Sequence, residues 1–471
     1  MTERADTRFI VGTSLAHHAR ALGANRGAQR RWAPTAGDLG FAFAANVVVV
    51  ASLWWRDGGT AGLENAAAAV TSAGRLTGLL GTYLVLVQLL LVARLPGLER
   101  RFGLDRLTVW HRRNGRLCLG LLLAHAGLIT AGYALAARVS LPAEALTLLT
   151  TFPGVLTATA GLLALVVVVI VSVRIVRRGL RYETWYFVHL YTYLGIALSF
   201  SHQLATGRAF AADAVARGYW YALWGGTLAA LLAFRVGAPL LSALRHRLRV
   251  ETIVHEAADV VTITMTGRRL HRLAVRPGQF LLWRFLTLDR WYEAHPFSLS
   301  AAPDGHRLRI TVKVVGDYTG RLLALRPGTR VIAEGPYGAF TDDRRTRPKV
   351  LYIAGGIGIT PIRAMLETTA AGDGEVTLLY RAVAADGLLF RDELDELARR
   401  RGIEVRYVLG DHRDPAARHL LDAAHLRRLL PDVARRDVFV CGPPAMTAKT
   451  ERSLRAAGVP RRQIHTERFA F

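Results

Sequence analysis

The stretch His111–His125, HRRNGRLCLGLLLAH, decides the fold of the N-terminal half, because an apolar run lies between two histidines. Fourteen residues of α-helix rise about 21 Å and turn to within about 40° of a whole number of turns. The two imidazoles therefore share one helix face at two depths. A second pair, His189 and His202, is 13 residues apart, which leaves it about 140° out of phase on an ideal helix. We therefore expect a distortion such as a π-bulge between them, near Gly195 or residues 199–201.

Apolar runs of membrane-spanning length surround both pairs, and the chain is 51% hydrophobic. Six stretches reach the roughly 20 residues that a spanning helix needs: 38–56, 76–95, 115–136, 152–173, 185–202 and 219–243. Arginines cluster in the N-terminal tail, the second and fourth loops and after the last stretch. The positive-inside rule then predicts a multi-pass protein of the cytoplasmic (plasma) membrane with both termini in the cytoplasm. The net charge of +25 lies largely in these loops, so it does not indicate nucleic-acid binding.

Imidazole groups inside a membrane are costly and usually functional. His111 and His189 fall near the cytoplasmic face and His125 and His202 near the outer face, so one histidine from each helix could ligate a haem at each depth. Two alternatives remain: histidines that hydrogen-bond between helices, and a proton relay. The two cysteines, Cys118 and Cys441, are too few for an iron–sulfur cluster or a disulfide framework.

After residue 246 the pattern changes to short alternating strands, which predict an antiparallel β-barrel. From residue 349 strands alternate with helices, which indicates an α/β domain with a parallel sheet. We expect four segments: a cytoplasmic N-terminal segment (1–37), a six-helix transmembrane bundle (38–245), the barrel (246–346) and the α/β domain (347–471). The sequence contains no EF-hand calcium loop, so we expect no calcium.

Several motifs of the C-terminal half place glycine where a backbone can approach a ligand. They are HPFSLS (295–300), VKVVGDYTG (312–320), GPYGAF (335–340), AGGIGITPI (354–362) and VFVCGPPAM (438–446). The most specific is AGGIGITPI, a glycine turn between a strand and a helix, which offers N–H groups and a positive helix end to a pyrophosphate.

Together these motifs resemble the ferredoxin reductase superfamily, and with the paired histidines they resemble the NADPH oxidase and ferric reductase family, in the form of a bacterial member. The resemblance covers residues 38–471. It implies FAD, two b-type haems and NADPH as cofactors. It also implies electron transfer from cytosolic NADPH to an outer acceptor, either O2, giving superoxide, or ferric chelates. By the same resemblance, His111 with His189 would ligate the inner haem, and His125 with His202 the outer haem.

The resemblance also assigns flavin contacts. His295, Pro296, Phe297 and Ser298 would line the isoalloxazine, with Ser298 placed to hydrogen-bond near its reactive nitrogen. Lys313 stands where the family usually has the arginine that meets the FAD pyrophosphate, and lysine offers charge without a fork of bonds. The remaining flavin contacts would be Gly316, Thr319, Gly335 and Gly338, and the aromatic Phe471 would cover the flavin until nicotinamide displaces it.

The nucleotide contacts follow in the same way. The pyrophosphate turn would comprise Gly355, Gly356, Gly358, Thr360 and Pro361. Arg381, with Arg391 behind it, would hold the 2′-phosphate. Because no acidic residue ends that strand to claim a free 2′-hydroxyl, NADPH is favoured over NADH. Cys441, Gly442 and Pro443 would lie beside the nicotinamide, with Cys441 shaping hydride geometry and not acting as a nucleophile.

One position departs from the superoxide-forming members: Ile129 stands one turn beyond His125, where they tend to carry another histidine. The acceptor therefore stays open among O2, ferric chelates, another metal and a quinone. Two other functions remain: a reductase that feeds a membrane quinone or a protein partner, and a transporter with a nucleotide-sensing cytoplasmic domain. Beyond the small acceptor and membrane lipid, the sequence indicates no obligate protein partner.

Overall fold

The N-terminal half is a bundle of helices. The computed structural model describes residues 35–60, 63, 65–173, 179, 182–205, 213–288, 291–370, 372, 374–411 and 413–468. Most of the expected N-terminal segment, 1–37, lies outside these residues. The helices of this half are α1 (Ala36–Arg56), α2 (Ala66–Val92), α3 (Pro96–Phe102), α4 (Leu104–Ala137), α5 (Leu141–Thr151), α6 (Val155–Ser172), α7 (Tyr182–Ala205), α8 (Ala214–Leu231) and α9 (Ala238–His246).

Five of the described helical segments are long and apolar enough to cross a membrane. They are Ala36–Arg56, Ala66–Val92, Arg106–Ala137, Val155–Ser172 and Ala214–His246. This confirms a membrane-type helical region. Helix α7, which contains the fifth expected span, is not among the five, because its tyrosines and histidines lower its mean hydropathy. The count of six spans therefore stays a prediction.

Glycines let the helices that carry the histidines approach their neighbours. Helix α4 packs along α2, where a Cβ at Gly81 would lie 3.0 Å from Leu122. Helix α7 packs along α6, where a Cβ at Gly195 would lie 2.8 Å from the carbonyl oxygen of Gly161. The bundle thus contains two tight helix pairs, and α4 and α7 face each other from different pairs.

The expected distortion between His189 and His202 is wrong, because α7 is a continuous α-helix through both residues. Each imidazole stands on two rotatable bonds, so rings that leave a helix at different angles can still reach partners on one side. A π-helical turn occurs instead at Leu232–Gly237, between α8 and α9. Pro239 follows it and cannot donate a backbone hydrogen bond to Arg235, which accounts for the shifted ladder at this point.

Two three-stranded antiparallel sheets follow α9 and share one apolar core. Their strands are β1 (Arg249–Ala257), β2 (Val260–Thr266), β3 (Phe280–Phe285), β4 (His295–Ser298), β5 (Arg307–Lys313) and β6 (Val331–Tyr337). The sheet orders are β1-β2-β5 and β4-β3-β6. Single bridges join the sheets at both edges, Arg249 to Arg330 and Leu299 to Ile310, so the strands form a closed ring. A short helix, α10 (Asp317–Arg321), follows β5.

The C-terminal part is a five-stranded parallel sheet with helices between its strands. The elements are β7 (Val350–Gly355), α11 (Ile359–Leu366), β8 (Val376–Ala382), α12 (Arg391–Arg401), β9 (Glu404–Leu409), α13 (Ala423–Leu429), β10 (Asp437–Gly442), α14 (Pro444–Ala456) and β11 (Ile464–Arg468). The strand order β11-β10-β7-β8-β9 reverses direction between β7 and β10. Ligands of such sheets bind beyond the carboxyl ends of the strands at this switch point.

Candidate functional site

The structure brings the four membrane histidines together as two pairs across α4 and α7. The ring centres of His111 and His189 are 6.2 Å apart with an interplanar angle of 55°. Those of His125 and His202 are also 6.2 Å apart, at 54°. A metal bonded at about 2 Å to one nitrogen of each ring would hold the two ring centres about 6 Å apart. Both pairs therefore have the spacing that one iron atom between two imidazoles requires.

Hydrogen bonds at the other ring nitrogen orient the two histidines of α4. The Nδ1 of His125 lies 2.8 Å from the carbonyl oxygen of Gly74, and the Nδ1 of His111 lies 3.3 Å from that of Gln88. A histidine that binds metal through Nε2 commonly donates its Nδ1–H to a backbone carbonyl, which fixes tautomer and ring orientation. The donor set therefore fits a haem at each depth.

The outer pair is fitted closely by bare backbone. A Cβ at Gly78 would lie 2.5 Å from the Nδ1 of His125, and a Cβ at Gly154 would lie 3.0 Å from the Cα of His202. Ile129 packs on Gly74, where a Cβ would lie 3.0 Å from its side chain. Gly78 therefore leaves room for the His125 ring, and Gly154 lets the backbone of α7 approach closely at His202.

The inner pair is fitted by side chains. The Asn114 amide donates to the Gln88 side chain at 2.8 Å, so both ends of Gln88 are held near His111. The Trp185 ring centre lies 5.2 Å from that of His189, and the Trp185 indole donates to the Ser172 hydroxyl at 3.1 Å. That hydroxyl lies 3.4 Å from the Nδ1 of His189. Sequence spacing alone gave no signal for these supports.

An orphaned polar atom lies among the expected flavin contacts. Ser298 ends β4 and is 4% exposed, and its Oγ has no hydrogen-bond partner in the described part of the chain. Burying an unpaired hydroxyl is unfavourable, so this atom fits a hydrogen bond to a ligand. His295 stacks on Tyr318 with ring centres 3.6 Å apart. Pro296 and Phe297, which lie between His295 and Ser298 on β4, are half-buried. The Trp283 indole donates to the Phe297 carbonyl at 2.8 Å.

The other expected flavin contacts lie at the same end of the ring of strands. The Thr319 Oγ1 accepts from the backbone N–H groups of Val315 at 2.9 Å and Gly316 at 3.1 Å, which shapes the turn after β5. A Cβ at Gly316 would meet nothing within 4 Å, so the turn faces open space. Lys313 is about half exposed and forms an ion pair with Asp259 at 3.2 Å. A phosphate group would therefore compete with Asp259 for the Lys313 ammonium.

Gly335 and Gly338 are required by the backbone itself. Their φ angles are 137° and 90°, which side chains rarely adopt, and a Cβ at Gly338 would lie 3.1 Å from the Phe280 ring. These requirements explain both glycines without a ligand. Their contact with a flavin stays a prediction.

The nucleotide turn and the cysteine motif meet at the switch point, as their positions predict. A Cβ at Gly358 would overlap the carbonyl of Cys441, and one at Gly355 would overlap Met446 and lie 3.3 Å from Pro443. Only glycine allows β7 and the start of α11 to approach β10 this closely. The turn therefore depends on Gly355 and Gly358 for packing. Gly356 has φ 53° and a Cβ there would face open space, which leaves room for a phosphate.

The residues around this turn are held in place. Thr360, at the start of α11, donates to the Ile357 carbonyl at 3.0 Å, and Pro361 follows it, buried. Cys441 is fully buried, and burial raises the pKa of its thiol well above the usual value. A thiol in this state is a poor nucleophile, in line with the expected role of Cys441 as a shaping residue beside Gly442 and Pro443.

Arg381 and Arg391 occupy the strand-end region but have protein partners. One Nη of Arg381 donates to the carbonyls of Ala382 at 2.7 Å and Val408 at 3.1 Å. Arg391 lies over the Tyr407 ring at 5.7 Å. Partial burial lowers the pKa of Arg381, and the charge of Asp411 opposes this. Because Asp411 is close, an acidic residue does stand near the expected 2′-phosphate site. Phe471 lies outside the described residues.

Partly buried charges join the two soluble lobes. Glu393 of α12 accepts from two nitrogens of Arg309, on β5, at 3.0 Å each, and pairs with Arg363 of α11 at 2.5 Å. Partial burial acts to raise the pKa of Glu393, but both arginines lower it and the net shift is downward. The Ser300 carbonyl accepts from Arg309 and Arg363 at 2.9 Å each. This network fixes β5 of the ring of strands against the helix that begins at the glycine turn.

A second buried cluster joins the helix bundle to the ring of strands. Arg94, just after α2, forms an ion pair with Glu334 of β6 and lies 3.3 Å from the Tyr337 hydroxyl. Glu99 of α3 is 5% exposed, and burial raises its pKa to about 7. Neither the period of the strands nor any motif predicted this contact, because it joins residues 240 positions apart. It attaches the end of α2 to β6 of the ring of strands.

Comparison with known families divides the chain in the same way. Residues 77–200 match the family described as ferric reductase like transmembrane component. Residues 246–341 match an FAD-binding domain, and residues 352–452 match an oxidoreductase NAD-binding domain. The first match contains three of the four paired histidines, and His202 lies two residues beyond its end.

Individual relatives match about half of the chain or less. The ferredoxin reductase component of 3-ketosteroid-9-alpha-monooxygenase from Mycolicibacterium smegmatis is 34% identical over 233 residues, 47% of this chain and 65% of the relative. Ferredoxin–NADP reductase B from Sorangium cellulosum is 32% identical over 188 residues, 37% of this chain and 77% of the relative. The chain thus spans less than two thirds of the first relative. The FAD/NAD-binding domain of nitric oxide dioxygenase from Vibrio cholerae is 25% identical, covers 48% of this chain and 99% of that structure, and has a TM-score of 0.40.

Proposed function

We propose that the protein is a transmembrane flavocytochrome. Its C-terminal half belongs to the ferredoxin–NADP reductase family, and this half is joined to a ferric-reductase-like transmembrane component. The shared architecture is that of the ferric reductases and NADPH oxidases, and the chain is an NAD(P)H oxidoreductase. The proposed function is to carry electrons from cytosolic NADPH to an acceptor beyond the outer face of the membrane. The proposed working units are residues 38–245, 246–346 and 347–471.

The observation that carries this proposal is the matched geometry of the two histidine pairs. Both have ring centres 6.2 Å apart, and the two members on α4 are 14 residues apart, which places them about 21 Å apart along the helix. Hydrogen-bonded histidines alone would not need equal spacing at two depths. His111 and His189 would hold one haem, and His125 and His202 the other.

When bound, FAD accepts a hydride as an electron pair and each haem carries one electron. The chain's own residues supply placement. The turn at Gly355–Gly358 presents backbone N–H groups to a pyrophosphate, and buried Cys441 limits where a nicotinamide ring can lie. The Ser298 hydroxyl can hydrogen-bond the flavin ring from the floor of the site. The Arg309–Glu393–Arg363 network keeps these two surfaces in one orientation.

The direct test is spectroscopic and sided. Purified protein reconstituted into vesicles should develop reduced b-type bands after NADPH is added anaerobically on the side of the soluble lobes. A membrane-impermeant acceptor on the opposite side should then reoxidise them. A transporter with a nucleotide sensor predicts no b-type bands, and a protein that passes electrons only to quinone predicts no response to the impermeant acceptor. Either outcome would contradict the proposal.

The nucleotide preference can be tested at Arg381. Arg381→Ala should lose most of its preference for NADPH over NADH, roughly tenfold or more, because a phosphate loses a charged partner. The matched control is Arg399→Ala, an exposed arginine of α12 whose ion pair is with Glu396. An unchanged ratio of kcat/KM values for the two nucleotides would show that Arg381 serves only the carbonyls that it contacts.

The surroundings of the outer pair bear on the acceptor. An open surface hollow of about 450 Å³ lies between α4, just after His125, and the start of α5, and it is lined by Ala126, Gly127, Thr130, Leu141, Pro142 and Ala145. None of these lining residues is charged, so we propose O2 as the acceptor in preference to a charged ferric chelate. Superoxide should account for most NADPH turnover in air. If ferric-chelate reduction dominates and superoxide is a minor leak, the acceptor assignment is wrong while the electron path stands.

A further inference from the structure

The loop between β3 and β4 exposes large apolar side chains. Leu288 is fully exposed, Trp291 is 59% exposed, Tyr292 40% and Leu286 37%. We call these four residues the apolar loop. Asp289 and Arg290, between Leu288 and Trp291, are outside the described part of the chain. The ring of Trp291 lies edge-on to that of Tyr292, with centres 6.1 Å apart. Such a cluster is unfavourable in water, so it marks a surface that another apolar medium covers.

One direct contact and one chain connection place the apolar loop beside the helix bundle. The Tyr292 ring centre lies 6.1 Å from that of Phe187, which is two residues before His189 on α7. At the other end of the loop, the Leu286 N–H donates to the Arg330 carbonyl at 2.9 Å. The backbone of Arg330 in turn forms an antiparallel β-bridge with that of Arg249. Arg249 starts β1 only three residues after α9 ends at His246. Both ends of the loop are therefore tied to the helix ends on the side of the soluble lobes.

The chemistry around the loop matches the surface of a bilayer. Arginines 245, 247, 249 and 330 are exposed on the adjoining backbone. Tryptophan and tyrosine are enriched where membrane meets water, and arginine pairs with anionic lipid headgroups. Phe187 of α7 is apolar and half-exposed, so we expect lipid around it. Tyr292 contacts Phe187 and therefore lies at the same depth.

We propose that the apolar loop inserts into the headgroup and upper acyl region of the lipid leaflet on the side of the soluble lobes. Leu288 and Trp291 enter the lipid, Tyr292 rests on Phe187, and the flanking arginines meet phosphate groups. The loop then forms a second attachment of the ring of strands to the membrane besides the covalent link through α9. This inference rests on the membrane position of α7 and not on the presence of haem.

The test uses single cysteines, because the two native thiols, Cys118 and Cys441, are buried. Leu288→Cys in the full-length protein is labelled with bimane and placed in nanodiscs of phosphatidylcholine and phosphatidylglycerol. Fluorescence is compared between discs with and without lipid that carries a nitroxide near the headgroup. Val48→Cys, 63% exposed on α1, is the lipid-facing reference. Val383→Cys, 61% exposed after β8, is the aqueous reference.

The label at position 288 should be quenched at least half as strongly as that at 48, and several-fold more than that at 383. Trp291→Cys should behave in the same way, which covers the case in which the first variant is not recovered. Quenching at both positions equal to that at 383 overturns the proposal, and so does burial of the label against a second copy or another protein, which would protect it equally with either lipid. Because the readout is lipid contact, a failure of the electron-transfer proposal would leave it unchanged.

Discussion

The inner and outer histidine pairs have the same ring separation but different supports. Backbone carbonyls face the α4 histidine of both pairs, Gly74 for His125 at 2.8 Å and Gln88 for His111 at 3.3 Å. The outer pair is otherwise fitted by glycines: Gly78 leaves room for the His125 ring, and Gly154 lets the backbone approach at His202. The inner pair has side-chain supports in addition: Asn114 holds the Gln88 side chain, and Trp185 donates to the Ser172 hydroxyl beside His189. The inner pair also lies toward the Arg94–Glu334 contact with the ring of strands. Equal ring separation is thus reached with close glycine packing at one depth and with added side-chain hydrogen bonds at the other.

Removing one ligand from each pair should have the largest effect. His125→Ala and His111→Ala should each lower the haem content from two per chain to one. The variants should then differ: His125→Ala keeps haem that NADPH can reduce but loses reduction of the outer acceptor, whereas His111→Ala loses both. The matched control is His255→Ala, an exposed histidine of β1. Identical losses in both variants would remove the distinction between the two pairs.

Narrowing the backbone pocket should break the outer pair alone. In Gly78→Ala, the added methyl would lie 2.5 Å from the His125 Nδ1, so the ring must move away from its bonding position. We expect loss of most of the outer haem with the inner haem retained. The control is Gly226→Ala in α8, where a Cβ meets nothing within 4 Å. Full haem content in Gly78→Ala, measured by the pyridine haemochrome, would show that the outer ring tolerates displacement.

Breaking the contact between the helix bundle and the ring of strands should affect only the inner pair's supply of electrons. In Arg94→Ala the rate at which NADPH reduces the b-type bands should fall by roughly tenfold or more, since loss of one partner of a buried ion pair costs about 2–5 kcal/mol. NADPH reduction of a soluble dye by the flavin should stay unchanged. The swapped pair Arg94→Glu with Glu334→Arg should recover part of the rate. Equal slowing of both reactions would indicate a general folding defect.

The smallest expected effect is a pH-dependent change in stability at Glu99. Burial raises the pKa of Glu99 to about 7 in the folded protein, from an ordinary value of 4.5. The stability of the folded state is therefore full below pH 4.5 and falls as pH rises through 7, by at most about 3 kcal/mol. Glu99→Gln should raise the thermal unfolding midpoint at pH 8 and leave it nearly unchanged at pH 4.5. An equal change at both pH values would contradict a raised pKa.

The sequence predicted the parts of this site that depend on spacing within one element. The 14-residue interval placed His111 and His125 on one face of α4, and the glycine turn at Gly355–Gly358 met Cys441 because parallel strands end at one edge. The distortion expected between His189 and His202 failed, because helix phase fixes where a side chain leaves the backbone and not where its ring ends. Sequence had no means of predicting Arg94 with Glu334 or Tyr292 with Phe187, since these pairs form only when separate domains dock.

The most direct test of the central claim is the ratio of b-type haem to FAD in the purified protein. It is measured together with the low-temperature electron paramagnetic resonance spectrum of the oxidised haem iron. Two histidine pairs, each with ring centres 6.2 Å apart, predict two haems per FAD, both with the low-spin signature of two imidazole ligands. A ratio of one or less in fully flavinated protein, or a high-spin signal from either haem, would contradict the account.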